Sequence, residues 1–212
     1  MSAPDQSSPA PSTAAALDRL LNATLERYPL LIEPFDPEWR STCESGGPFT
    51  DADLEGPHVA WQPRRREDTA AQLALFDPLA RALEIDVHPD ITTYYSRYYS
   101  GGIEADSPEG PVSLLQLWNE ADAERLIENL LGHAIAKQRA KAPYSVFFAC
   151  TAVDSELFLS VENHTGHVVL ERPGYKPERT VATSLGAFLG ELTPAPPERH
   201  PERAAFLVQS NS

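Results

Sequence analysis

Apolar side chains recur every three to four positions in several parts of the chain, the spacing of one helix face. The clearest case is a helix predicted over residues 120–140, where the apolar stripe consists of Leu126, Ile127, Leu130 and Leu131. Asn119 precedes it as a suitable N-cap. The same spacing predicts further helices at residues 15–28, 71–85 (interrupted, with a restart at Asp77-Pro78), 91–99 and 183–192.

Shorter runs rich in β-branched and aromatic residues predict strands. They lie at residues 58–63, 103–106, 112–118, 145–151, 157–163 and 167–171. Residues 29–57, dense in proline, glycine and acid, predict a long ordered loop. Helices that flank a cluster of strands indicate an α+β fold with a mostly antiparallel sheet, in one domain over residues 14–193. The proline-rich segments 1–13 and 194–212 are expected to be disordered or flexible.

The charge balance limits the classes of partner. The 212 residues contain 31 acids and 17 Lys+Arg, a net charge of −14. That balance disfavours nucleic acid and anionic lipid, and it favours a basic protein partner. No run of about 20 apolar residues predicts a membrane span, and no N-terminal signal peptide is evident. We therefore expect a cytoplasmic protein with two reduced cysteines.

A search for catalytic or cofactor motifs predicts no enzyme, metal or cofactor. His164 and His167, with Glu162, could ligate a metal, but the pattern is more typical of a solvent-exposed turn. Cys150 lies in an apolar run that indicates a core position, and Cys43 has no partner motif for nucleophilic catalysis. His133 is expected to make an interior or capping hydrogen bond.

The acids and bases are segregated along the chain. Between Glu33 and His58 there are seven acids and one base, and between Ser100 and Glu124 there are six acids and no Lys or Arg. The cations collect elsewhere, at Arg64–Arg66, at 137–141 and at 172–179. Such segregation indicates an acidic face on which a basic loop could dock.

Several blocks together resemble the Syd family of bacterial SecY-interacting proteins. They are WQP at 61–63, LLQLWNEADAERLIENLLGH at 114–133, KQRAKAP at 137–143, SVENHTGHV at 160–168, and the segment from Ala182 to Pro194. The resemblance extends over residues 17–194 in the same block order. It implies a compact α+β domain related to the SUKH superfamily. It also implies a peripheral protein on the cytoplasmic side of the inner membrane, where an acidic groove receives basic cytoplasmic loops of SecY in proofreading or regulation of translocon assembly.

Charge clustering beside the matched block nominates a partner-binding set: Glu104, Asp106, Glu109, Glu120 and Asp122. Two other functions stay open at this point. One is a SUKH-like peptide-binding or immunity module with a different target. The other is an unrecognised hydrolase that uses His133 and an acid.

Overall fold

The computed structural model describes residues 10–52, 54–152 and 155–197, in which six helices and twelve strands form. The helices are α1 Thr13–Arg27, α2 Thr69–Ala74, α3 Asp77–Leu83, α4 Pro89–Ser96, α5 Glu120–Arg139 and α6 Leu185–Glu191. The strands are β1 Leu31–Pro34, β2 Glu44–Phe49, β3 His58–Trp61, β4 Arg64–Arg65, β5 Tyr98–Tyr99, β6 Ile103–Ser107, β7 Gly110–Leu114, β8 Ser145–Cys150, β9 Phe158–Glu162, β10 Val168–Glu171, β11 Arg179–Ala182 and β12 Thr193–Pro194.

The main sheet has seven strands in the order β11-β10-β9-β8-β7-β6-β12, and every neighbouring pair is antiparallel. The α+β fold with an antiparallel sheet is therefore confirmed. Alternation along β6 sends Ile103 and Ala105 into the core and turns Glu104 and Asp106 to the opposite face. These two faces decide which side chains a partner could reach.

The fold also contains two small sheets, and the first of them includes the segment predicted as a loop. In the first sheet β3 lies between β1 and β2, and β4 pairs with β5 in the second. The loop predicted over residues 29–57 is therefore wrong, since it contains β1 and β2. β1 and β2 adopt the strand conformation because their backbones pair with β3, for example Leu31 opposite Trp61. They have no alternating apolar pattern of their own. The Gly46-Gly47-Pro48 run in β2 also hides the strand, because these residues disfavour sheet.

The helix predicted over residues 91–99 is only partly correct. It ends at Ser96, and Tyr98 and Tyr99 then extend as β5 opposite Arg65 and Arg64. Gly101 lies five residues beyond the end of α4. It lies beneath the Trp61 indole, where an added Cβ would come within 2.7 Å of a ring carbon.

The central helix α5 begins as predicted. The Asn119 side chain accepts a hydrogen bond from the Asp122 N–H at 3.0 Å, which satisfies one of the unpaired donors of the first turn. Leu126, Ile127 and Leu130 are buried, whereas Leu131 is only partly buried. Burial along α5 extends past the apolar stripe, since Lys137, seven residues after Leu130, is buried as well.

Candidate partner-binding surface

The β6–β7 hairpin carries three of the five nominated acids. Glu104 is partly buried and accepts a hydrogen bond from the Ser113 hydroxyl at 2.8 Å, while Asp106 is exposed. Glu104, Ser113 and Cys150 lie side by side on three successive strands. Cys150 is exposed, so the sheet face is uncovered here, and the predicted core position of Cys150 is wrong. Its strand is apolar, but the pleat turns the last residue to the open face.

The same face is covered further along the sheet by α5. The His133 ring packs edge-on against Phe147 and Phe158, at centroid distances of 5.7 and 5.9 Å. One turn later, Lys137 reaches Glu171 on β10. The open part of the face, with Glu104 and Asp106, therefore adjoins the part that α5 covers.

Glu109, at the tip of the hairpin, forms an exposed ion pair with Arg179 of β11. β11 lies at the other end of the strand order, so the sheet curls enough to bring the hairpin tip to it. The Arg179 hydrogen bonds lower the pKa of the Glu109 carboxyl. This acid is thus held beside a cation from a distant part of the chain.

Glu120, in the first turn of α5, accepts hydrogen bonds from the Tyr99 hydroxyl and from Arg66 at 3.3 Å. The Arg66 side chain is only 4% exposed, and its guanidinium lies 4.4 Å from the centre of the Tyr99 ring. Burial is the main cause that raises the pKa of Tyr99 to about 12, and the hydrogen bond to Glu120 is the second. Glu120 therefore serves as the counter-charge for a buried arginine, although its own side chain is 71% exposed.

Asp122 has a capping role. One of its oxygens accepts from the Trp118 N–H at 2.9 Å, just ahead of the Asn119 cap, and its other oxygen lies 4.0 Å from Arg125. The Trp118 indole N–H in turn donates to the Trp39 carbonyl at 3.0 Å. Asp122 thus holds the chain where it enters α5.

His133 belongs to a buried network. Its Nε2 lies 3.2 Å from the Ser145 hydroxyl, which donates to one oxygen of Glu171 at 2.9 Å, and Lys137 donates to the other. Burial lowers the pKa of His133, which favours the neutral ring. Ser145 is 1% exposed and its proton points to Glu171, not to His133, which is the wrong direction for a serine nucleophile activated by histidine. The interior hydrogen bond predicted for His133 is confirmed.

The Asn163-His-Thr-Gly166 turn has a structural task. The Asn163 side chain accepts from the His88 N–H at 3.0 Å and donates to the Asp86 carbonyl at 2.9 Å. Gly166, at φ +72°, packs directly beneath the His88 ring. His164 is exposed, and within the described ranges no group of three His, Cys, Asp or Glu side chains could hold a metal ion. Cys43 is buried, and desolvation raises the pKa of its thiol.

Fold and surface together define an α+β protein that presents an acidic hairpin beside a sheet face partly covered by one long helix. None of the helices described is long and apolar enough to cross a membrane. The model of the Syd protein family (SUKH-2) matches residues 16–194, so the chain belongs to the Syd family.

Named relatives support this assignment. Protein Syd of Pseudoalteromonas atlantica is 40% identical over 161 residues, which is 76% of this chain and 82% of the relative. Protein Syd of Hahella chejuensis is 45% identical over 142 residues, or 67% of this chain and 71% of the relative. A third relative, from Alteromonas mediterranea, is 34% identical over 85% of this chain and 96% of its own length. None of these names denotes an enzyme.

Proposed function

We propose that this protein binds SecY, and that basic cytoplasmic loops of SecY dock on the outward face of the β6–β7 hairpin. Family membership supports the partner, and the outward direction of Glu104 and Asp106 on β6 supports the surface. This single arrangement, two carboxylates on an uncovered strip of sheet, is the observation that carries the proposal. Glu109, Glu120 and Asp122 are proposed as the rim of the same acidic surface.

The strength of such docking comes from the field of several acids and not from one bond. Exposed ion pairs contribute about 0–1 kcal/mol each, and their reach is about one Debye length, ~8 Å at physiological salt. A chain with a net charge of −14 adds long-range attraction for a basic loop. Binding should therefore weaken steeply as salt is raised.

The experiment reverses only the two acids of β6. The variant Glu104→Lys/Asp106→Lys is compared with Glu26→Lys/Glu128→Lys, which changes the net charge equally at exposed positions of α1 and α5. Both are assayed for retention on membranes that contain SecY or are depleted of it, and for binding of labelled peptides from the cytoplasmic loops of SecY. Loss of the attraction and gain of repulsion should reduce affinity roughly tenfold in the β6 variant.

The matched control decides the interpretation. An equal loss in both variants would mean that net charge, and not the β6 face, governs association. Indifference of the wild-type protein to salt or to SecY content would refute the proposal. Circular dichroism and the melting temperature must be unchanged in both variants, because a folding defect would also abolish binding.

In the cell, this activity would place the protein on the cytoplasmic side of the inner membrane as a peripheral component held by SecY. We propose that occupying the SecY loops serves to proofread or regulate translocon assembly. A cofactor is not part of the proposal.

A further inference from the structure

A basic surface stands at the end of α5, in a protein that is otherwise strongly acidic. It consists of four exposed cations: Arg139, Lys141, Arg172 and Lys176. The C-terminus of α5 and the β10–β11 turn come together here, around a depression of about 490 Å³ that Ala140, Arg172, Tyr175 and Lys176 help to line. We call these four residues and Tyr175 the basic surface.

Most of this positive charge is not matched within the protein. Arg172 pairs with Glu178 at 2.9 Å, but across the described part of the chain Arg139, Lys141 and Lys176 form no ion pair. Cations at a helix C-terminus are favoured by the helix dipole, which accounts for Arg139 and Lys141. Lys176 lies on a hairpin turn, where the dipole gives no such reason.

Two apolar groups are exposed at or beside the cations. The Tyr175 ring is 63% exposed at the tip of the turn, and Ile135 is 51% exposed one helical turn before Arg139. Aromatic side chains with a polar tip, flanked by Lys and Arg, suit the headgroup region of a membrane. The basic surface thus combines exposed cations and an exposed aromatic ring, the two features that favour binding at the headgroup region of a membrane.

The basic surface also adjoins the proposed SecY surface. Arg179, which follows the β10–β11 turn, forms the ion pair with Glu109 at the tip of the β6–β7 hairpin. A partner embedded in an anionic membrane would force the acidic hairpin towards headgroups that repel it. A patch of cations next to the hairpin would reverse that repulsion locally.

We propose that the basic surface docks on anionic phospholipid headgroups. The lipid phosphates would lie against Arg139, Lys141 and Lys176, and Tyr175 would enter the headgroup region. A role of the basic surface in orienting the acidic hairpin towards SecY rests on the proposed function. Contact of the basic surface with lipid requires no SecY. Each basic residue near an anionic surface contributes about a fivefold change in binding, so loss of three should be readily measured.

The test uses the full chain and sedimentation with vesicles that lack protein. Vesicles of phosphatidylglycerol and phosphatidylcholine are compared with vesicles of phosphatidylcholine alone, at low and at raised salt. The variant Arg139→Glu/Lys141→Glu/Lys176→Glu is compared with Arg64→Glu/Arg65→Glu/Arg81→Glu, which changes the net charge equally at exposed positions elsewhere. We expect binding to the anionic vesicles only, reduced tenfold or more in the first variant and by much less in the second.

The outcomes separate this inference from the SecY proposal. Equal losses in both variants, or no binding of the wild-type protein to anionic vesicles, would overturn the lipid inference and leave SecY binding untouched. The Glu104→Lys/Asp106→Lys variant should bind the vesicles at least as well as wild type, even where it fails to bind SecY. Tyr175→Ser should weaken vesicle binding with no change in net charge, and failure to do so would remove the aromatic contact from the inference.

Discussion

Replacing Lys137 by methionine should cause a large loss of stability, although lysine is normally a surface residue. Its side chain is 2% exposed and donates to Glu171, which is 1% exposed. Methionine preserves the length of the side chain but leaves a buried carboxylate with Ser145 as a neutral donor and His133 3.8 Å away. Breaking a buried ion pair on one side costs about 3–5 kcal/mol, because the remaining charge is uncompensated.

A double variant separates the effect of the unpaired charge of Glu171 from the loss of the Lys137 side chain. In Lys137→Met/Glu171→Leu both charges are absent, so the double variant should recover much of the stability that the single variant loses. Urea unfolding monitored by circular dichroism gives both free energies, and for a chain of this size 3 kcal/mol corresponds to roughly 6–12 °C in melting temperature. Arg139→Met, two residues later on the exposed side of α5, is the control and should change stability by about 0.5 kcal/mol or less. A cost below about 1 kcal/mol for Lys137→Met, or a double variant no more stable than Lys137→Met alone, would refute the reasoning.

Three further outcomes are expected. Leu130→Ala should cost ~2–5 kcal/mol in urea unfolding, since Leu130 is fully buried, and a cost near zero would mean that α5 packs through another face. His133 should make stability pH-dependent: burial lowers its pKa in the folded protein, so its contribution is complete above the unfolded value of 6.5 and is lost as pH falls below it. Wild type should therefore lose more stability than His133→Gln between pH 7.5 and 5.5, and equal losses would contradict this. Asn163→Ala should cost about 1–3 kcal/mol by leaving two backbone groups without their partner, while the exposed Asn129→Ala should be neutral.

The parts of the fold that the sequence predicts well are those whose conformation is determined by residues close together in the chain. The start of α5 depends on Asn119 and the apolar stripe of the next three turns, and both are visible within twenty residues. The sequence does not indicate β1 and β2, because only pairing with β3 makes them strands. Tyr98 and Tyr99 fit the helical spacing of residues 91–99, yet pairing with β4 determines their conformation. Tertiary pairing overrides local propensity in each of these cases.

The candidate surface shows the same limit. The nominated acids are evident from charge alone, but two of them pair with cations from far along the chain: Arg66 is 54 residues from Glu120, and Arg179 is 70 residues from Glu109. In the sequence Lys137 is one of the cations that collect at residues 137–141, and nothing near it indicates Glu171, 34 residues away. Linear charge counts predict the sign of a surface better than its pairing.

These distant pairings determine which substitutions can test SecY binding. Reversing Glu120 would place a cation against buried Arg66, and reversing Asp122 would remove the acceptor that holds the Trp118 N–H, so loss of binding in either variant could follow from damage to the fold. Arg66 is equally unsuitable as a control, since it is buried. Glu104 and Asp106 differ, because their side chains face outward on β6, and the hydrogen bond that Glu104 accepts across the strand pair comes from the neutral Ser113 hydroxyl. A loss of SecY binding on their reversal, with an unchanged melting temperature, therefore reports on the surface itself.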